Sequence, residues 1–176
     1  MKKFLLIISL VFLCVISLQA NEEKAIKHTL LKYNYGIIKM GKSGETQFFR
    51  SFVEKDAAMK LQVWFESWKF SNLTYIANIN DFIFGDIKFN EYNATISTME
   101  NWTFSYVNLA TKEIALEPVN MLYKMNYTLA NNNGNWVIID VKHIEEKVIE
   151  NNVTHKPTLD AKEPEELLVS PQSSQR

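Results

Sequence analysis

The chain has 176 residues, with 47% hydrophobic and 22% charged side chains. That is enough for one ordinary domain, and it excludes wholesale disorder, a collagen-like sequence and a multi-span membrane protein. Nineteen basic and 20 acidic residues give a net charge of -1, which excludes the strongly basic footprint of a nucleic-acid binder.

The N-terminus reads as an address. Met1-Lys2-Lys3 forms a positive head, Phe4 to Leu18 an apolar or small run, and Ser17-Leu18-Gln19-Ala20 a cleavage region ending in a small residue. Residues 1–20 are therefore expected to be a secretory signal peptide. The competing reading is a retained anchor, but the apolar run falls short of the ~20 residues that cross a hydrocarbon core. Cleavage would remove Cys14, the only cysteine. The mature chain would then hold no disulfide and no thiol nucleophile or ligand. A double-lysine signal before a cysteine-free domain rich in lysine, isoleucine and asparagine points to the bacterial periplasm.

Asn21 can cap a helix whose first turn carries Glu22 and Glu23, and Ile26, Leu30, Tyr33 and Ile37 recur at helical spacing. Gly41-Lys42-Ser43-Gly44 ends it. Two further helices are predicted, over Thr46 to Val53 and Asp56 to Phe70. The first would send Phe48, Phe49 and Phe52 to the core, the second Met59, Val63 and Trp64 together with Leu61 and Trp68.

After Ser71-Asn72 the period changes from helical to alternating. Tyr75 to Phe89 fits one or two strands bent at Gly85. A long strand follows, with Ala94, Ile96, Thr98, Glu100, Trp102, Phe104 and Tyr106 on one face. Val119 to Leu129 alternates again, Asn131 to Asn135 turns the chain around an Asn-Gly pair, and Trp136 to Ile144 returns. Trp136 is expected to set its ring against the helices. From about residue 150 the composition turns polar, with Pro157, Pro164 and Pro171, too little apolar surface to offset ordering entropy. This segment, 150–176, is expected to be a disordered tail, and Leu167-Leu168-Val169 is its one apolar cluster.

Helices followed by an antiparallel meander predict an α+β domain over 21–149, with the helices against a strongly bent, cone-like sheet. The order resembles the nuclear-transport-factor-2-like superfamily over roughly residues 22 to 145. The closing pattern Tyr123-x-Met125-x-Tyr127 through Asn133-Gly134-Asn135-Trp136-Val137-Ile138-Ile139-Asp140 is similar to that superfamily's terminal hairpin. The helix carrying Trp64 and Trp68, followed by paired aromatic strands, also resembles its chloroplast-division inner-membrane-site branch.

That resemblance implies a pocket between the concave sheet face and the helices, with Trp64, Trp102, Phe104, Tyr123 and Tyr127 as candidate lining. The alternative, commoner for aromatic stripes at strand spacing, is that these rings simply fill the core. Glu100 shares their face, and burial there would raise its pKa. The ordinary expectation for a carboxylate is a solvated place at a turn.

No catalytic residue can be nominated. His28, His143 and His155 lie too far apart in the chain for a dyad or metal site, and Asp81, Asp86 and Asp140 border strands or turns, where carboxylates cap chain reversals. No phosphate loop, nucleophile elbow or metal-ligand spacing occurs, and no cofactor or metal is expected. Of the acceptor sequons at Asn72, Asn93, Asn101, Asn126 and Asn152, only Asn93 and Asn152 carry an acidic residue two positions earlier, as the bacterial glycosylation signal requires.

The expected function is that of an exported, non-catalytic binding or assembly domain whose partner is another periplasmic or envelope protein, with a homodimer through the sheet as one form of assembly. Nucleic acid and, after signal cleavage, a stable membrane span are not expected. The alternative class is a small-molecule pocket, carrier or enzyme, inside the cone.

Overall fold

The computed structural model describes residues 2–149, with side chains from position 19 onward. The tail, including Asn152 and His155, lies outside the described residues, as do the side chains of the N-terminal apolar run. Helix α1 spans Lys2–Ser43, a 3-10 turn spans Gln47–Ser51 and helix α2 spans Lys55–Phe70. Four strands follow: β1 (Leu73–Phe89), β2 (Asn93–Asn108), β3 (Ile114–Asn132) and β4 (Asn135–Ile149). They form an antiparallel meander in the order β1-β2-β3-β4. The fold is α+β, with two helices packed on a four-stranded antiparallel sheet. Among the residues whose side chains are described, no helix is long and apolar enough to cross a membrane.

Two helical expectations need correction. Asn21 does not begin a helix in the full chain but lies inside α1. No glycine or proline separates the apolar run from Asn21, so nothing interrupts the i to i+4 ladder there. The segment from Thr46 to Val53 forms only the short 3-10 turn. Phe49 is nevertheless buried, and Phe48 and Phe52 pack against the core as predicted.

Helix α1 ends where the Gly44 N–H bonds to the Met40 carbonyl, at 2.8 Å. It crosses the sheet from β4 to β1. Near its middle Glu22 accepts a hydrogen bond from Trp136 Nε1. Toward its C-terminus the Ile37 carbonyl accepts from the Tyr75 hydroxyl and the Gly41 carbonyl from Thr74 Oγ1, each at 2.8 Å. Gly41 permits this approach, because a Cβ there would lie 2.5 Å from the Tyr75 backbone oxygen.

In α2 the predicted inner face holds for Leu61 and Trp68 and fails for the other three residues. Met59, Val63 and Trp64 are exposed, and Phe65 is the buried residue. Ala57, Ala58, Leu61 and Trp68 pack beside it on the core. Alanines at 57 and 58 let this face approach closely, and Leu61, Phe65 and Trp68 continue it at helical spacing.

The strands follow the alternation closely. Register shifts in β1 between Ile79 and Asp81 and between Phe84 and Ile87 bend the sheet, the second one at Gly85 as expected. Asn133 and Gly134 both have positive φ, 53° and 86°, the requirement of a type I′ hairpin. The return strand β4 runs beyond Ile144 to Ile149. Its outer edge is met by the segment between the helices, where Ile138 N–H donates to the Phe52 carbonyl at 2.9 Å and Glu54 N–H to the Ile138 carbonyl at 2.8 Å.

Trp136 is buried as predicted, beside α1 through Glu22 and edge-on to Phe89 at 6.1 Å. Replacing it with alanine removes a large core ring and the tie between α1 and β4. Trp136→Ala is expected to cost about 3–5 kcal/mol, read as a lowered urea midpoint. An unchanged midpoint would contradict its core role.

Candidate functional site

Strand alternation places Thr98, Glu100 and Trp102 on the helix-facing side of β2. Tyr127 arrives from β3, two register steps away, and Asn34 from α1 one helical turn after Leu30. These residues meet around a single carboxyl group. Glu100 Oε1 accepts from Thr98 Oγ1 at 2.6 Å and from the Tyr127 hydroxyl at 2.8 Å. Glu100 Oε2 accepts from Trp102 Nε1 at 2.9 Å. The Tyr127 hydroxyl also lies 3.5 Å from Asn34 Oδ1, while Asn34 Nδ2 is buried without a partner.

The expected solvated place for Glu100 is therefore corrected: the residue is 2% exposed. Thr98, Trp102 and Tyr127 seal it from both sides. Burial raises its pKa, and the hydrogen bonds from Thr98, Trp102 and Tyr127, with the nearby Asn34 side chain, act in the opposite direction. No cation shares the site in that balance. Burial, followed by the nearby Glu100 charge, also pushes the Tyr127 and Tyr33 hydroxyls well above their ordinary values.

The other candidates form an aromatic chain running away from this group. Trp102 stacks on Phe104 with centroids 5.4 Å apart, and Phe104 meets both Tyr75 and Tyr123 edge-on at 6.1 Å. Trp64 joins only through Tyr75, at 5.3 Å, and is itself 38% exposed. Tyr123 is half-buried against His143, and burial with the Glu146 charge pushes its hydroxyl up to about 12. Of the residues proposed to line a pocket, Trp102 and Tyr127 belong to the core and Phe104 and Tyr123 pack against it, while Trp64 stays outside it.

Glu100 and Tyr127 are both almost completely buried, and neither lines the groove at the β1 edge. That groove, of about 410 Å³, lies near the end of α1. Among the described residues no group of three histidine, cysteine or acidic side chains is placed to hold a metal ion. Asp81 accepts from the Phe82 N–H at 2.9 Å and Asp140 pairs with Lys142 at 3.7 Å, both within strands and not at the chain reversals expected for them. His143 lies 3.6 Å from Glu146, and half-buried His28 is on α1, remote in the chain from it.

Sequence reasoning missed Asn34. Its signal was present, a polar residue inside the apolar stripe of α1 next to Tyr33, but its partners come from strands more than 60 positions later. It also missed Phe70, which is 97% exposed at the end of α2.

No family model matches the chain, and no curated protein matches it in sequence. Its fold is similar to the crystal structure of the intermembrane space region of the chloroplast protein ARC6, with a TM-score of 0.57 at 9% identity, covering 72% of this chain and 95% of that one. Fold and site together define a class: an α+β domain with helices on one face of a meander sheet and a sealed polar cluster at their junction.

The raised Glu100 pKa means that the folded chain binds its proton more tightly than the unfolded chain. The resulting stabilisation is complete below the ordinary value of 4.5 and falls as pH rises through the elevated folded value. Glu100→Gln keeps the shape and stays neutral, its amide donating to the Thr98 and Tyr127 oxygens while its carbonyl accepts from Trp102. The variant is expected to gain stability relative to the wild type as pH rises from 4.5, and urea midpoints across that range measure it. Parallel curves would contradict the burial of an ionisable Glu100. Glu100→Leu is expected to be destabilising, at about 1–3 kcal/mol for each donor left bare.

Proposed function

We propose that the chain is an exported, non-catalytic binding or assembly domain of the nuclear-transport-factor-2-like superfamily, acting in the periplasm through contacts with another envelope protein. The observation that carries this reading is the pairing of a filled core with an apolar outer face on α2. Glu100, Trp102 and Tyr127 satisfy one another, which leaves little for a substrate to meet. Outside, Met59, Val63 and Phe70 are 53%, 65% and 97% exposed and fall on one stripe opposite Phe65. Apolar side chains gathered on one exposed face mark contact sites more often than scattered ones do. The ARC6 neighbour, an intermembrane space region, supports the fold and is compatible with a compartment outside the cytoplasm.

Because Val63 and Phe70 are exposed, substituting them should change stability by no more than about 0.5 kcal/mol. A photocrosslinking residue at position 63 in the cell is expected to give one discrete adduct, and Phe70→Asp to abolish it. A folded protein that gives no adduct would count against the α2 surface.

In this reading residues 1–20 are a cleaved signal peptide, and the chain after residue 150 is a tether. Where a general periplasmic glycosylation system is present, Asn152 is the preferred acceptor over Asn93. Asn93 opens β2, is half-buried, and its carbonyl accepts the Asn90 N–H at 2.7 Å, so presenting it to a transferase would open the hairpin. The intact mass of the exported protein from such a host tests both points. It should lack residues 1–20 and carry a glycan that Asn152→Gln removes. A retained Met1, an unmodified chain or a glycan that survives the substitution would each defeat the corresponding claim.

A further inference from the structure

At the β1 edge, where α1 ends beside α2 and the β2–β3 turn, a groove of about 410 Å³ has an apolar floor of Phe65, Ile76, Val107 and Leu109. Its charged lining is one-sided. Lys42, Lys69 and Lys112 border it, and among the described residues no carboxylate lines it. Lys69 is paired with Glu66 at 3.1 Å, but that pair is about half exposed and is easily exchanged for a denser acidic partner. A ligand matched to this groove carries several negative charges next to a short apolar block.

The chain contains such a segment outside the described residues. Glu163-Pro164-Glu165-Glu166-Leu167-Leu168-Val169 sets three carboxylates immediately before three apolar side chains. We propose that the groove holds this C-terminal segment of the same chain, with the glutamates against the lysine rim and Leu167 to Val169 on the floor.

Chain geometry permits it. Ile149, the last described residue, stands opposite Asn120, which pairs across β2 with Thr103 and so with Asn78 of β1. Three interstrand steps span about 14 Å, and the two residues from Asn78 to Ile76 add about 7 Å along β1. Residues 150–162, which join Ile149 to Glu163, extend to at most about 45 Å. The connection therefore reaches the groove with length to spare for the path around the sheet edge. A covalently linked segment also competes at an effective concentration of about 1 mM, which an external acidic peptide of equal affinity must exceed. The groove is separate from the outer stripe of α2, so this docking can fail while the α2 contact stands.

The test places a nitroxide on Ser173→Cys in a chain that also carries Cys14→Ser, so that no second thiol is labelled whether or not residues 1–20 are retained. Amide signals of Gly44, Leu109 and Lys112 are expected to lose intensity roughly twofold or more, the occupancy that a Kd of about 1 mM gives at that effective concentration. Leu167→Asp with Leu168→Asp changes no described residue and is expected to restore those signals. Uniform intensities along the chain, or broadening that survives the double substitution, would overturn the proposal. Selective broadening that fades on dilution would also overturn it, by assigning the groove to the tail of a second copy.

Discussion

A carboxyl group with no cationic partner, buried where α1 crosses the sheet, is the constraint on which the arrangement of this domain depends. Glu100 can be buried only because β2 itself supplies Thr98 and Trp102 and β3 supplies the Tyr127 hydroxyl. Each donor must sit in register. A slip of one residue in β2 would turn the carboxyl outward and carry Thr98 and Trp102 with it. The cluster therefore specifies strand pairing more than it adds to net stability, since burying the charge opposes what the hydrogen bonds contribute. Tyr127 and Asn34 extend the same requirement to the helix, fixing which turn of α1 faces the sheet.

Much of this was legible in the sequence because strand periodicity is strict. The face holding Ala94, Ile96, Thr98, Glu100 and Trp102 could be read directly, and the Asn133-Gly134 turn carried its own backbone requirement. Helix α2 was harder. Apolar residues occur all around it, so spacing alone could not decide between Met59 with Val63 and Leu61 with Phe65, and the small side chains of Ala57 and Ala58 decided it by allowing close approach. The burial of Glu100 ran against the general preference of carboxylates for water. Its neighbours on the strand face were the better guide, and the donors that make burial tolerable became visible only in three dimensions.

The likeness to the ARC6 region at 9% identity illustrates which information specifies such a fold. Patterns of burial, turn chemistry and strand length suffice, and almost no individual residue is required. Site chemistry is different, because it resides in the individual residues that such distant likeness leaves unmatched. What distinguishes this chain is therefore its own surfaces, above all what the helices leave uncovered.

The clasp on β4 bears on how the molecule meets copies of itself. A terminal strand normally offers a row of open main-chain donors and acceptors to any passing strand. Here Phe52 and Glu54 occupy both main-chain groups of Ile138, so the stretch of β4 nearest the hairpin turn is already taken. The remainder carries Asp140, Lys142, Glu145, Glu146 and Lys147, a dense alternation of charge that an uncharged incoming strand would have to desolvate. Continuous sheet growth across molecules is therefore disfavoured at this edge, despite the long, aromatic-rich strands behind it.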